Sequence, residues 1–391
     1  MSEKKIKVLH ILYELMPSGA EMMLRSAYSY WQDDCEMTIL STGPNIGVYA
    51  TELQKAGYKV DHLPIQAGSK VGQESKLYKV KHIYDFYKYM KNHSFDVVHI
   101  HKESMSDMYA QISCKTDVKR IVRTVHNNFH FSGKLQEQKT KSRKKMKESY
   151  NTKFVAISDG VKQNEYDVFA NECDATIYNW CDDSKYQYIS NETKKQEKQE
   201  TGLENKMTIV TTGNCYSVKN HELIIRALSK MKRKDKIHYF HIGYRAEETE
   251  KEMNLANNLG LGSHITFAGF TDPLPYMKKS DVYIMPSLYE GLSIAAIEAL
   301  FTGMHLLLAD TPGVVEFQNK DFDNTEYFHL DTENPIGESN INLLAEKLDI
   351  LVDEWEKGKV TNSRKQYEQA KKIYSAEVGA EQYLKLYKGE A

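Results

Sequence analysis

At 391 residues the chain is longer than one ordinary hydrophobic core supports, so two domains are expected. Its 41% hydrophobic and 27% charged residues, with a net charge of −2, are those of a globular protein and exclude nucleic-acid binding through bulk positive charge. No apolar run approaches the roughly twenty residues of a membrane span, and Cys35, Cys114, Cys173, Cys181 and Cys215 show neither a CxxC nor a metal-ligand spacing, which reads as reduced thiols in the cytoplasm.

The N-terminal Met-Ser-Glu-Lys-Lys is too short and polar for a signal peptide and leads into Ile6–Leu12, a first strand. Met16 to Glu21 is a turn, and Met22 to about Trp31 is the first helix. Within the turn, Gly19 is the position where another group can approach the backbone closely, the plain alternative being a tight turn with no further role. Met37–Ser41 and Val60–Leu63 read as strands, the second after a helical Tyr49–Ala56. Residues 64–75 form a polar loop and Lys76–Asn92 a helix. Asp96–His101 and Arg120–His126 are strands that both close in histidine, where a parallel sheet presents its ligand side. A lone histidine is more often structural, and both readings stay open for His101 and His126. Short apolar strands alternating with helices are the pattern of a doubly wound α/β sheet.

Lys134 to Lys147 is the most basic run, with six lysines and Arg143 against Glu137 alone. A solvated helix face accounts for it without any function. The functional alternative is adhesion to anionic lipid, worth about 1 kcal/mol per basic residue near the surface. Residues 1–185 carry 27 basic against 23 acidic side chains, leaving the remainder at −6, a split that suits an anionic surface or acceptor for the first half. Lys153–Ser158 and Ala175–Asn179 close that half. Asn191–Lys206, dense in Lys, Glu, Gln and Thr, shows no core pattern and reads as an interdomain connection with a polar helical piece.

The second half restarts with strand Met207–Thr212 and the loop Gly213-Asn-Cys-Tyr-Ser-Val-Lys-Asn-His221. Strand Ile237–Ile242 with Gly243, helix Thr249–Leu259 and strand Ile265–Phe267 with Gly269 follow. Val282–Met285 is a buried strand, Pro286 takes the chain out of the sheet, and Ser293 stands as N-cap before Ile294–Leu300. Glu290 lies in the loop and Glu298 on the helix. The helix start carries roughly half a unit of positive charge, so Gly291, Leu292, Ser293 and Ile294 can offer backbone N–H groups to a diphosphate. The two carboxylates are then left for hydroxyls. A diphosphate on backbone donors with hydroxyls on two acids describes a nucleotide sugar; a solvated loop Glu and a helix-face Glu are the plain alternative. Leu306–Asp310 is a further strand, residues 317–340 are irregular, and Asn342–Gly358 and about Ser363 to Lys388 are helical.

The segment Pro286–Leu300, followed by Thr302-Gly303 and Ala309–Gly313, resembles the signature of glycosyltransferase family 4. That resemblance implies retaining sugar transfer on the α/β fold called GT-B, two Rossmann-like doubly wound domains facing across a cleft. It implies an acceptor domain over 1–185, a nucleotide-sugar domain over 186–372 and a terminal helix, 373–391, that crosses back to the first. Glu290 would contact the donor sugar and Glu298 the ribose. Ser18-Gly19-Ala20-Glu21 is similar to the family's Gly-Gly-Ala-Glu loop, which touches the donor phosphates. Thr124-Val-His126 is similar to its Thr-x-His, whose histidine lies close to the transferred sugar. Lys219 matches a cation that binds the diphosphate, main chain around Gly269 would face the nucleobase, and Glu316 matches a frequent acid. Two departures stand out: Asn214 replaces an arginine, and Trp180-Cys181-Asp182 replaces a Gly-x-Asp turn.

The expected activity is transfer of a sugar, UDP-linked, to a saccharide or lipid-linked acceptor in cell-surface polysaccharide synthesis, with Glu290, His126 and Lys219 carrying the chemistry. No metal or cofactor beyond the nucleotide sugar is expected. The location would be cytoplasmic, peripheral on the inner face of the plasma membrane through Lys134–Lys147. A non-catalytic nucleotide-sugar-binding accessory subunit is the rival that Asn214, Ser18 and Trp180 favour. An epimerase or phosphorylase of similar fold is the other, and the spacing of Glu290 and Glu298 opposes it.

Overall fold

Runs of Val, Ile and Leu that are apolar on both faces can be buried only between two layers of helix. In the computed structural model, which describes residues 4–64 and 76–390, such runs form two parallel sheets. The chain divides into two units, unit 1 comprising residues up to Asp182 together with Ser375 onward, and unit 2 comprising Asp183–Tyr374. The polar loop expected at 64–75 lies, apart from Pro64, outside the described residues.

The sheet of unit 1 holds, among the described residues, β1 (Ile6–Leu12), β2 (Cys35–Ser41), β3 (Lys59–His62), β4 (Val97–Ile100), β5 (Arg120–Val125), β6 (Thr152–Ala156) and β7 (Ala175–Thr176). Their order is β3-β2-β1-β4-β5-β6-β7. Helices α1 (Gly19–Trp31), α2 (Ala50–Ala56), α3 (Lys76–Asn92), α4 (Ser106–Ser113), α5 (Gly133–Tyr150) and α6 (Asp159–Phe169) link them. The chain winds outward from β1 to β3 and resumes on the other side at β4, so the strand order reverses between β1 and β4. Such a reversal leaves a crevice beyond the carboxyl ends of the two strands.

Unit 2 repeats the plan with α7 (Asn191–Glu200), β8 (Met207–Thr212), α8 (His221–Lys230), β9 (Ile237–Ile242), α9 (Ala246–Asn258), β10 (Ile265–Gly269), α10 (Leu274–Met277), β11 (Val282–Met285), α11 (Ile294–Thr302), β12 (His305–Ala309), β13 (Thr325–Phe328), α12 (Glu338–Glu356) and α13 (Arg364–Tyr374). The order β10-β9-β8-β11-β12-β13 places the reversal between β8 and β11. Ile209, Val282, Ile284, Leu307, Leu223 and Leu344 are all inaccessible to solvent in its core; each such side chain stabilises the fold by about 1.5–3 kcal/mol relative to exposure.

Three expectations need correction. Asn191–Lys206 is not a coreless connection: α7 packs within unit 2, with Lys194 and Lys198 buried and directed at Asp281, at 3.4 and 2.5 Å. Residues 317–340 are not wholly irregular, because β13 extends the sheet beside β12, with Leu307 opposite Glu326. The helical stretch 363–388 is two helices, α13 and α14 (Ala376–Lys388), separated at Ser375, whose hydroxyl accepts the Val378 N–H at 3.3 Å.

The last helix, α14, packs in unit 1 against α1. Trp31 Nε1 donates to the Ala380 carbonyl at 2.9 Å, and Lys388 pairs with Asp34 at 2.7 Å. Trp180 is buried beside the same helix: a Cβ on Gly379 would stand 2.2 Å from its ring. Trp180 therefore fills space that the smaller turn glycine of the resembled family would leave empty, a packing reason for that departure.

Candidate active site

The carboxyl ends of β8 and β11 carry the two loops that the sequence singled out. After β8, Asn214 is exposed, Tyr216 N–H donates to its carbonyl at 2.7 Å, and Ser217–Lys219 forms a single 3-10 turn. After β11, Leu288 N–H donates to the Val218 carbonyl at 2.8 Å, which fastens one loop to the other. The side chains then meet: Lys219 Nζ lies 2.6 Å from Glu290 Oε1, both partly buried. At that separation the pair is a charge-assisted hydrogen bond.

Glu290 is braced from a third loop. Its N–H donates to the Pro312 carbonyl at 2.9 Å, and Thr311 Oγ1 donates to the Ser287 carbonyl at 2.7 Å. Gly313 adopts φ +77°, and a Cβ there would stand 1.9 Å from the Glu290 carbonyl oxygen, so only glycine lets the two backbones approach this closely. Ser293 caps α11 by accepting the Ala296 N–H at 3.4 Å. Gly291, Leu292, Ser293 and Glu298 are buried, and Ile294 is half-buried as the first residue of the helix. Glu290 and Glu298 share an environment: burial first, then the negative charge of both, holds the Tyr283 phenol well above its ordinary range.

Gly269 ends β10 with φ +70°, and its carbonyl accepts the Gly243 N–H at 2.9 Å. Gly213 N–H likewise donates to the Ile242 carbonyl at 2.9 Å, so the ends of β8, β9 and β10 form one backbone staircase. Gly243 is required there, since a Cβ would stand 1.9 Å from the Gly213 carbonyl oxygen. Glu316 is buried in the 3-10 turn after Gly313.

In unit 1, Gly19 is the first residue of α1 rather than part of the preceding turn, and Ser18 donates its hydroxyl hydrogen to Glu21. His126 follows β5 as the end of a histidine chain: His10 Nδ1 lies 3.1 Å from His101 Nε2, and His101 Nδ1 lies 3.0 Å from His126 Nε2. Burial depresses all three, His10 to about 3, His101 well below its usual range, and His126 to about 4 with help from the Arg123 charge. His126 is thus a neutral hydrogen-bonding group at pH 7, not a cation. His99, opposite His10 in the sheet register, bonds Tyr387 at 2.7 Å and Thr124 at 2.7 Å.

Comparison with known proteins decides the class. Residues 193–372 match the family model for glycosyl transferases group 1. The chain is similar to the capsular polysaccharide biosynthesis glycosyltransferase CapH of Staphylococcus aureus, 25% identical over 303 residues, covering 75% of this chain and 78% of that protein. Its structure superimposes on the crystal structure of Anabaena HepE in complex with UDP with a TM-score of 0.79, at 16% identity over 98% of this chain and 100% of the other. The chain is a glycosyltransferase of the GT-B fold. It is also similar to the UDP-Gal:alpha-D-GlcNAc-diphosphoundecaprenol alpha-1,3-galactosyltransferase of Escherichia coli, 23% identical over 245 residues, 60% of this chain and 62% of that protein.

Within the transferase, the structure joins Lys219 to Glu290 and sets Glu298 about one turn into the helix that follows the Glu290 loop. Several contributors escaped the sequence reading. His10 and His99 lie inside apolar strands, where a histidine in register with another histidine is the available signal. Thr311, Gly313 and Gly243 act through backbone contacts that only the folded chain reveals. Arg143 stood in the basic run as a surface cation, yet it is buried, bonded to Glu165 at 2.7 Å and to Glu103.

Proposed function

We propose that this transferase moves a sugar from a UDP-linked donor to a saccharide or lipid-linked acceptor during cell-surface polysaccharide synthesis, with retained configuration. The observation that carries the reading is the Lys219–Glu290 contact at the strand-order reversal of unit 2, directly ahead of the α11 N-terminus. The names of CapH and of the Escherichia coli galactosyltransferase, and the UDP bound to HepE, support the donor class and the acceptor class.

In this reading the nucleotide diphosphate rests on the backbone donors Gly291 to Ile294 and on Lys219, with Glu298 on the ribose and the main chain at Gly269 beside the base. The sugar C1–oxygen bond to the diphosphate breaks as the acceptor oxygen bonds C1 on the same face. The acceptor proton passes to the departing diphosphate. Charge grows on that leaving group, so cations and N–H dipoles already in place lower the barrier most. Asn214 offers an amide where a guanidinium would supply a permanent charge, which leaves Lys219 as the cation of its loop. Glu290 then has two tasks, holding Lys219 and accepting a hydroxyl of the donor sugar. For Gly19 and His126 the support is the resemblance, joined for His126 by its neutral state at a strand end. No step in this scheme requires a metal.

The test measures nucleotide released from a panel of nucleotide sugars with saccharide and lipid-diphosphate acceptors supplied. Glu290→Gln and Lys219→Met are each expected to lower turnover about 10²–10³-fold. Donor binding by the wild-type protein with no turnover on any acceptor would reject the enzyme reading for this site and leave the accessory role, the reading that Asn214 favours.

A further inference from the structure

Behind the Lys219 loop lies a second cluster that sugar transfer does not use. Cys215 follows β8, His221 begins α8, His241 is on β9 and Glu252 is on α9. Cys215, His221 and His241 are buried and Glu252 half-buried, and one ligand-type atom from each lies within 4.8 Å of the others. His241 Nε2 stands at the centre, 3.0 Å from His221 Nδ1, 2.9 Å from Glu252 Oε2 and 3.8 Å from Cys215 Sγ. His221 Nδ1 is 3.7 Å from Glu252 Oε1.

Hydrogen bonding does not satisfy this arrangement. One imidazole nitrogen holds either one proton or one lone pair, yet three groups converge on His241 Nε2. Glu252 Oε2 approaches it closely without sharing a hydrogen bond with it. A cation among the four atoms accommodates all of them at once. Donors at zinc–nitrogen and zinc–sulfur distances of about 2.0–2.3 Å stand roughly 3.3–3.8 Å apart on a tetrahedron; four of the spacings here, taken to one or other Glu252 oxygen, run from 2.9 to 3.8 Å, and all four donors lie within 4.8 Å of one another.

We infer that Cys215, His221, His241 and Glu252 form a tetrahedral zinc site that holds the β8–α8 loop in place. The donor set of one thiolate, two imidazoles and one carboxylate is borderline-soft and suits Zn²⁺ over Mg²⁺ or Ca²⁺, which require oxygen. Four protein ligands fill the coordination, leaving no open position for water, so the ion is structural. Thr249 Oγ1 donates to Cys215 Sγ at 3.1 Å and accepts the Arg245 N–H at 2.8 Å, an outer contact that stabilises a thiolate. A coordinating cysteine binds as the thiolate and a coordinating histidine as the neutral ring, so zinc uptake at Cys215 releases a proton. An ion has a way in, because a cavity of about 510 Å³ lined by Cys215, His221, Glu252, Arg245 and Lys251 borders the cluster.

The consequence is mechanical. Cys215 is the third residue of the loop and His221 ends it, so the ion pins both ends of the segment bearing Lys219, with Asn214 just ahead of it, to β9 and α9. The inference stands on the cluster alone and is tested without any transfer assay.

The full chain is stripped with a chelator, then titrated with Co²⁺ and separately with Zn²⁺ in competition with a chromophoric chelator. The expected result is one ion per chain, with a thiolate-to-cobalt charge-transfer band and the intense visible bands of tetrahedral Co²⁺. Cys215→Ser should abolish the charge-transfer band. Thr249→Val, which keeps all four ligands and the side-chain shape, should weaken zinc binding about tenfold. Absence of a tetrahedral Co²⁺ spectrum in the folded wild-type chain overturns the inference, as does a charge-transfer band that survives Cys215→Ser.

Discussion

Asp281 shows how much one side chain can hold. Its Oδ2 accepts from Lys198 Nζ at 2.5 Å, from Thr208 N–H at 2.8 Å and from Thr208 Oγ1 at 3.0 Å, while Lys194 Nζ lies 3.4 Å from Oδ1. Both lysines are almost fully buried, and burial lowers the Lys194 pKa against the pull of Asp281. Asp281→Asn keeps the volume but strands two cations in a low-dielectric site, so a loss of 3–5 kcal/mol is expected in urea unfolding. A loss under about 1 kcal/mol would show that the ammonium groups reach water instead. None of this was legible in Asn191–Lys206, because lysines spaced four apart on a helix look solvated until the partner arrives from 83 residues away. Glu290 was legible for the opposite reason: its strand, loop and capped helix are contiguous in sequence, and only its bond to Lys219 required the fold.

At the scale of elements, α5 divides into two faces. Arg143 and Lys139 point inward, where Arg123, Arg143 and Lys139 surround Glu103; burial alone would raise that carboxyl, but the three cations outweigh it and hold it at about 2. Lys134, Lys141, Lys144 and Lys145 stay exposed, and Lys141 and Lys144 have only loose intrahelical partners at 4.0 and 3.8 Å. We propose this outer face, not the whole basic run, as the contact with an anionic membrane. Replacing Lys141, Lys144 and Lys145 with Gln should weaken co-sedimentation with anionic vesicles at least tenfold, at about 1 kcal/mol per charge. Unchanged sedimentation removes the idea. Element boundaries followed the same rule of legibility. The β11–α11 junction was readable because Pro286 and Ser293 punctuate it. The edge strand β13 is only four residues and half-buried, which erases the apolar run that marks an inner strand. The break at Ser375 did carry a signal, a serine ahead of Ala-Glu-Val, hidden inside a continuous helical pattern.

For the whole molecule, four histidines held neutral by burial set the acid limit. Burial is the largest cause of the depressed values of His10, to about 3, and of His82, His126 and His238, to about 4. The unfolded chain binds protons at these groups near 6.5, whereas the folded chain does so only near 3 to 4. Stability is therefore unaffected above pH 6.5 and falls as pH drops through that window, by up to about 2 kcal/mol per histidine at pH 5. Circular dichroism against pH should show the onset of unfolding above the carboxylate range; a chain fully stable at pH 4 contradicts the buried, neutral state of these rings. The two doubly wound sheets were visible in the alternation of strands and helices, whereas the return of the terminal helix to the first unit followed from the family resemblance and from no pattern in the residues themselves. That helix supplies Tyr383, Tyr387 and the Ala380 carbonyl to Trp31, Trp180 and His99, all encoded hundreds of positions or more than half the chain earlier. On the ribosome, those aromatic and imidazole groups emerge long before their cover does. The N-terminal sheet must wait, with an apolar face open, through the translation of all of unit 2, which makes it the part of the nascent chain most in need of chaperone protection.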